Sequence, residues 1–316
     1  MDGVLIIDKP AGLTSHDVVA RVRRILKIKR VGHTGTLDPF ATGVLVVLIG
    51  RATRLAQFLS NAEKEYEAVV RFGYATDTGD LTGQRLETPA AQNIRQGLVP
   101  TFGERELEAA LQSLRGEIEQ TPPMYSAKKV EGRKLYELAR RGVAVERKAV
   151  KVTIHQLEAL HLDGALWKTN EDGTCDLSMR VVCSAGTYIR ALAETIGERL
   201  GTPAHLAALR RTRAGSFRLA DGITLDALEE RRATAQALLI STDEALRALP
   251  FVHLTADEAR KALHGVALTQ RDGAAWPEDQ PVRMRDRDGH LVAIGFYDAT
   301  RRVLRPRVVL FPENKN

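Results

Sequence analysis

The sequence has only two cysteines in 316 residues, Cys175 and Cys183. They show no CxxC spacing and no nearby histidine pair, which excludes a zinc site or disulfide framework and leaves them as small apolar strand residues of a reduced protein. No metal-ligand cluster and no cofactor are expected. Long hydrophobic runs are also missing: the longest, Val44 to Ile49, is far too short to span a bilayer. The N-terminal Met1-Asp2-Gly3-Val4-Leu5-Ile6-Ile7-Asp8 lacks a basic n-region and a cleavage site, so no signal peptide is expected and the chain reads as cytoplasmic. There is no internal repeat, no low-complexity tract and no GxxxxGK[ST] phosphate loop. Acidic excess is absent as well. The formal net charge is +6 and the sequence pI about 9.4, a balance that favours a polyanionic partner.

What is present is enough hydrophobic material, 44 % of residues, to bury a substantial core over two domains. Basic residues gather at Arg21 to Arg30, Lys128 to Lys151, Arg210 to Arg218 and Arg301 to Arg307. Four such clusters suggest a nucleic-acid footprint, although any single one is equally a solvated face. The most informative stretch is Gly32-His33-Thr34-Gly35-Thr36-Leu37-Asp38-Pro39-Phe40-Ala41-Thr42-Gly43, which runs into the apolar Val44 to Ile49. Its glycines permit sharp turns and close backbone approach, and Pro39 pushes Asp38 out of the helical region. A carboxylate is thereby held on a stiff turn anchored by a buried strand, the kind of loop that carries chemistry.

Periodicity outlines the rest. Strands are expected over Val4 to Ile7, Val44 to Ile49, Tyr66 to Gly73, Val150 to Ile154, Leu177 to Cys183 and the basic Leu209 to Phe217. A helix begins at a capping box formed by Thr14 and Asp17, with Val18, Val19, Val22, Ile25 and Leu26 on its apolar face. Further helices are expected over Ala52 to Ala62, around Leu107 to Leu114 with Gly116 as stop, over Leu135 to Arg141, over Ile189 to Leu200 and through Leu225 to Leu249. Strands and helices without a regular βαβ alternation give an α+β class. Pro250 divides a larger unit, residues 1–249, from a smaller one, residues 250–316, with short β segments and Asp-Gly turns.

The Asp38 segment resembles the catalytic motif of the RNA pseudouridine synthases, in wording closest to the bacterial branch that modifies uridine 55 of tRNA. Phe40 departs from the leucine usual after the proline. Four more segments resemble the same family in the same order: Asp8-Lys9-Pro10-Ala11-Gly12-Leu13-Thr14-Ser15; Lys64-Glu65-Tyr66 with Thr76-Asp77-Thr78-Gly79-Asp80; Pro122-Pro123-Met124-Tyr125-Ser126-Ala127-Lys128; and Gly186-Thr187-Tyr188-Ile189-Arg190 with Leu209-Arg210-Arg211-Thr212. They span residues 3 to 217, and five ordered matches are far more specific than one loop.

The resemblance implies a mixed, largely antiparallel sheet flanked by helices, with residues 1–249 catalytic and 250–316 a PUA-like, β-barrel-like RNA-binding domain. It implies isomerisation of uridine to pseudouridine in the T-loop of tRNA by a monomer that uses no guide RNA. By family position Asp38 is the nucleophile, Arg190 its partner, and Tyr66 the ring that stacks on the extruded base. Tyr188 and Leu209 line the pocket, His33 fills the space left in the RNA stack, and Lys9 contacts phosphate or braces its own turn. Asp38 attacking the sugar, adding to the base, or assisting elimination all remain open. A binding or folding protein with the same fold would need none of Asp38, Tyr66 and Arg190. A phosphate-binding hydrolase would need the missing glycine-lysine loop or a second carboxylate near Asp38.

Overall fold

The computed structural model describes residues 1–86, 102–125, 146–161, 163–269 and 276–310, together with the backbone of 129–130 and 133–134. Part of the Lys128 to Lys151 cluster and the whole expected helix from Leu135 to Arg141 lie outside these residues.

Strand β1 (Gly3–Lys9) leads to helix α1 (Ser15–Leu26), followed by β2 (Val31–Thr34) and β3 (Thr42–Ile49). Thr14 and Asp17 form the capping box that starts α1: the Thr14 hydroxyl accepts from the Asp17 backbone, and the Asp17 carboxylate accepts from the Thr14 N–H. Strand β3 is apolar throughout because both its faces are covered. Leu45, Val47 and Ile49 pack with Val18, Val19, Val22 and Ile25 of α1, while Val44, Val46 and Leu48 pack with Val4, Ile6 and Phe217 on the other side.

The chain continues through α2 (Ala56–Ser60), β4 (Lys64–Phe72), α3 (Glu104–Gln112), β5 (Gly116–Gln120), the short hairpin β6 (Lys129–Val130) and β7 (Arg133–Lys134), then β8 (Val150–Leu160), β9 (Trp167–Thr169) and β10 (Cys175–Cys183). Helix α4 (Ile189–Arg199), β11 (Ala204–Ala214) and β12 (Phe217–Arg218) complete a large sheet ordered β1-β3-β11-β4-β10-β8-β5, with β2, β9 and β12 beside it. Neighbours in that order run antiparallel except β3 and β11, which are parallel where Thr42 and Gly43 face Arg210 and Arg211. Gly43 is required there: its φ is +97°, and a Cβ would lie 2.2 Å from the Arg211 carbonyl oxygen. This is the α+β, mixed and largely antiparallel sheet expected.

Beyond Leu249, strands β13 (Phe251–His253), β14 (Leu268–Thr269), β15 (Pro281–Arg285), β16 (Leu291–Asp298) and β17 (Val303–Val309) form a five-stranded sheet ordered β13-β15-β16-β17-β14. The two sheets share an apolar seam in which Leu55 and Leu246 meet Leu291, Ile294 and Leu310.

Three elements differ from the sequence reading. Residues Gly50–Leu55 form a 3-10 turn before the five-residue α2, so the helix expected over Ala52 to Ala62 is shorter and in two parts. Gly116 does not merely stop a helix; at φ +90° it opens β5. The stretch from Leu225 to Leu249 is broken into α5 (Leu225–Glu230), a 3-10 run and α6 (Thr242–Ala245), because Ile240 leaves helical geometry to exchange backbone hydrogen bonds with Val4 at 2.8 and 2.9 Å. Among the described residues no helix is long and apolar enough to cross a membrane.

Candidate active site

The loop between β2 and β3 is fastened from beneath. Lys9 is fully buried, and its ammonium donates to the carbonyls of Pro10 at 2.8 Å, Pro39 at 3.1 Å and Ala41 at 2.6 Å. Its three donors are thus spent on backbone carbonyls, one in its own turn and two in the loop, so Lys9 braces the loop and has no donor left over for a phosphate. Ser15 adds a reciprocal clamp: its hydroxyl donates to the Leu37 carbonyl at 3.2 Å and accepts from the Leu37 N–H at 2.9 Å. Asp38 emerges from this framework with about a third of its side chain open, at 32 %.

Arg190, at the start of α4 and only 5 % exposed, faces it. Arg190 Nε lies 3.0 Å from Asp38 Oδ2, and Nη2 donates to Asp38 Oδ1 at 3.3 Å. The same guanidinium donates to the carbonyls of Thr78 at 2.8 Å and Tyr125 at 2.6 Å, and stands 3.4 Å from Asp80 Oδ2. A planar fork so fully engaged fixes the direction of the Asp38 carboxylate. Asp80 is itself buried, its Oδ1 accepting from the Thr82 N–H at 2.9 Å and the hydroxyls of Thr78 and Thr82 at 3.0 and 2.6 Å.

Two carboxylates therefore share one cation. Burial raises the Asp38 pKa above the ordinary carboxylate range; Arg190 opposes the shift, Asp80 adds to it, and Lys9 opposes it.

Asp38, Arg190, Tyr66, Tyr188 and Leu209 all line one cavity of about 270 Å³. Tyr66 comes from β4 and Leu209 from β11, both 8 % exposed. The Tyr66 phenol is held above its usual pKa, chiefly by burial. Tyr188 is pinned through its backbone, its N–H donating to Gln120 Oε1 at 2.9 Å. His33 is not on the cavity wall. It packs edge-on against His16, ring centroids 5.4 Å apart, and burial with the neighbouring His16 and Arg211 charges lowers its pKa to about 4, which keeps it neutral.

Three residues at the site were quoted in sequence motifs without a role. Asp80 closes the Thr76 to Asp80 motif as the second carboxylate on Arg190, and this pairing spans 110 positions, invisible to local patterning. Lys64 and Arg211 line the cavity as buried cations. The signal available was strand alternation: Arg210 and Arg211 are neighbours in sequence but point to opposite faces, Arg210 outward to Asp8 at 2.8 Å and Arg211 inward to the carbonyls of Val44 at 2.7 Å and Gly35 at 2.8 Å. Among the described residues, the one group with metal-ligand potential is Asp286, Asp288 and His290, on the turn between β15 and β16 and outside the cavity.

Comparison with known proteins places these residues in context. The family model described as TruB family pseudouridylate synthase (N terminal domain) matches residues 23–189, and that of the tRNA pseudouridylate synthase B C-terminal domain matches 190–249. The chain is 51 % identical over 270 residues to tRNA pseudouridine synthase B of Geobacillus thermodenitrificans, covering 85 % of this chain and 86 % of that one. It is 42 % identical over 313 residues to tRNA pseudouridine synthase B of Bacillus cytotoxicus, covering 98 % and 97 %. Among solved structures it is similar to a chain of a Cbf5–Nop10–Gar1 complex (TM-score 0.71, 28 % identity, 99 % of this chain and 86 % of that one). It is also similar to a chain of an H/ACA ribonucleoprotein bound to a substrate RNA containing 2′-deoxyuridine (TM-score 0.70, 26 % identity, 99 % and 86 %).

Proposed function

The chain belongs to the TruB family of pseudouridylate synthases, and from that premise we propose that it converts uridine 55 in the T-loop of tRNA to pseudouridine, with Asp38 as the nucleophile. The observation that carries this reading is the Asp38–Arg190 pair at the wall of a cavity of about 270 Å³, roofed by Tyr66, Tyr188 and Leu209. Such a space admits one base and excludes a duplex, so the uridine must be flipped out of its stack to enter.

The reaction breaks the C1′–N1 bond, turns the base, and joins C1′ to C5. C5 loses a proton and N1 gains one, so the balance calls for no oxidant, donor or hydrolysis. Arg190 keeps Asp38 ionised against the burial that favours its protonated form, and aims it at the incoming nucleotide. Tyr66 offers a ring for the base to lie on and a hydroxyl within reach of it. Residues 250–316 act as the RNA-binding module, and the protein works as a cytoplasmic monomer without a guide RNA. Support for stand-alone action is the higher identity to proteins named tRNA pseudouridine synthase B, 42 and 51 %, than to the ribonucleoprotein chains, 26 and 28 %.

The test is purified protein incubated with unmodified tRNA transcript, followed by mapping of pseudouridine. A single modified position in the T-loop is the expected result. Tight tRNA binding by folded protein with no pseudouridine formed would instead favour the binding-only reading.

A further inference from the structure

The cavity that Asp38 lines carries two further basic side chains, Lys64 and Arg211. Lys64 and Tyr66 are two residues apart on β4 and so project from the same face. Arg211 on β11 is the cross-strand partner of Tyr66. All three line the cavity, with Lys64 6 % and Arg211 1 % exposed. Backbone carbonyls hold both cations: Lys64 Nζ donates to Ser60 O at 2.5 Å and to Ala62 O, and Arg211 to Val44 O and Gly35 O. Among the described residues neither has a carboxylate at ion-pair distance, and they are close enough to each other to lower the Lys64 pKa further than burial alone, to about 8. Arg190, which lines the same cavity, is outweighed by its two carboxylates. The cavity wall thus combines Asp38, paired to Arg190, with two cations, Lys64 and Arg211, that have no acid of their own among the described residues.

We propose that Lys64 and Arg211 form an electrostatic wall that stabilises the negative charge carried by the uracil ring while it is detached from, or being moved on, its ribose. The inference rests on the isomerase reading above. When C1′–N1 breaks, the bonding pair stays with the base as uracilate, its charge spread over N1, O2 and O4. If Asp38 adds to C6 instead, the pair displaced from the C5–C6 bond becomes an enolate on O4. Either way a neutral ground state becomes an anion, so fixed cations in a water-poor site favour the transition state over the substrate. Burying two cations without an acid is unfavourable for the resting protein, which is expected of groups placed for a charge that appears only during reaction. The sugar end, where positive charge develops, meets Asp38.

The charged and titratable groups acting on Lys64 are Arg211 from β11 and Cys183 from β10, and Tyr66 and Asp38 line the same cavity. The experiment compares single-turnover rates and tRNA dissociation constants for the full chain and for Lys64→Met, Lys64→Arg and Arg211→Lys. Two transcripts are used, one with uridine and one with 5-fluorouridine at the target position. Fluorine stabilises the base anion by itself, so the fluorinated base needs the wall less.

Lys64→Met is expected to slow the uridine substrate about tenfold to a hundredfold, the range for removing one charge-stabilising donor. Its tRNA affinity should hold, and breaking of the C1′–N1 bond of 5-fluorouridine, whose reaction stops at the C5-joined fluorinated adduct because C5 has no proton to lose, should slow far less. Lys64→Arg, whose charge does not titrate, should recover part of the rate and remove a fall in rate as pH rises through about 8. Equal slowing on both transcripts, with that fall in rate unchanged in Lys64→Arg, would overturn the wall and leave a purely structural lysine. If Lys64→Met does not fold, the pH profile of Lys64→Arg and the substrate comparison in Arg211→Lys decide. An inactive wild type would defeat the isomerase reading itself, whereas an active wild type with substrate-blind variants defeats only this inference.

Discussion

Lys9, Lys64 and Arg211 of the large sheet and Arg190 of helix α4 are all at most 6 % exposed, whereas Arg305 and Arg307 of β17 and Arg301 and Arg302 on the turn before it remain at or near the surface. The inner four are held in fixed directions by carbonyls or carboxylates, from distant parts of the chain for Lys9, Arg190 and Arg211 and from the residues just before it for Lys64. Of the outer four, Arg305 pairs with Asp298 at 2.6 Å and Arg307 with Asp279 at 3.3 Å, at 42 and 57 % side-chain exposure. Exposed pairs contribute about 0–1 kcal/mol each, while a buried cation stripped of its partner costs about 3–5 kcal/mol. The same residue type is therefore spent on fixed short-range contacts in one part of the molecule and left toward solvent in the other. Charge counted along the sequence does not tell the two uses apart.

The comparison breaks most sharply at Asp38. Asp38→Asn and Asp38→Ala should leave no measurable pseudouridine in a single turnover, because nothing else in the loop can replace its carboxylate. The tRNA dissociation constant should stay within about tenfold, about 1.4 kcal/mol. Full activity in the alanine variant would remove Asp38 from the mechanism.

Arg190→Met should also be inactive, and in addition less stable by about 3–5 kcal/mol, since Asp38 and Asp80 would face each other unpaired. Chemical denaturation reads that loss, and unchanged stability would mean the inward cation is not structurally committed.

Asp80→Asn preserves an acceptor for Thr82 but removes one of the two charges on Arg190. The saturating rate should fall about ten- to a hundredfold, the scale of one charge-assisted hydrogen bond. The pH profile gives a separate check. On the proposed mechanism Asp38 acts ionised, and its pKa is raised, so the rate should be lost as pH falls through that raised value. Deleting the Asp80 charge removes one cause of the rise and should move the acid limb to lower pH.

The smallest effect belongs to the outer arginines. Among the described residues the side chains of Arg301 and Arg302 have no partner, so Arg301→Gln with Arg302→Gln should flatten the plot of log affinity against log salt by about one unit for each phosphate no longer neutralised. The saturating rate should be unaffected. Neutralising the already paired Arg305 should do less, and a larger effect from Arg305 would erase the distinction between free and paired surface charge.

Much of this was legible in residue order. The Thr14–Asp17 capping box and the doubly buried Val44 to Ile49 strand were readable because local geometry dictates them. The Asp38 turn was readable from its glycines and Pro39. The Arg190 partnership came from the motif resemblance, since no local rule joins residues 152 positions apart. The basic run from Arg210 to Arg218 looked like an RNA footprint. In the fold Arg210 engages Asp8, Arg211 is interior, and Arg213 bonds Glu63 and Glu65. Alternation along a strand divides the run, and the acids that neutralise it come from β1 and the β4 region. The 225–249 stretch misled because its helical composition yields to a tertiary demand, the Ile240 pairing with β1.

The lone parallel neighbour in the large sheet, β3 against β11, has a consequence for how the molecule comes into being. Asp38 sits just before the first of these strands and Arg190 before the second, so their ion pair closes only after the chain has docked across that seam. Parallel, non-local docking comes late because the loop entropy is lost before the contacts reward it. During synthesis the N-terminal β1–β3 layer can assemble early, yet it holds a carboxylate with no partner and half a cavity. The cavity is closed only with Ala204–Ala214 in place, because Leu209 and Arg211 on that strand form part of its wall. A chain that ends before this strand lacks that wall.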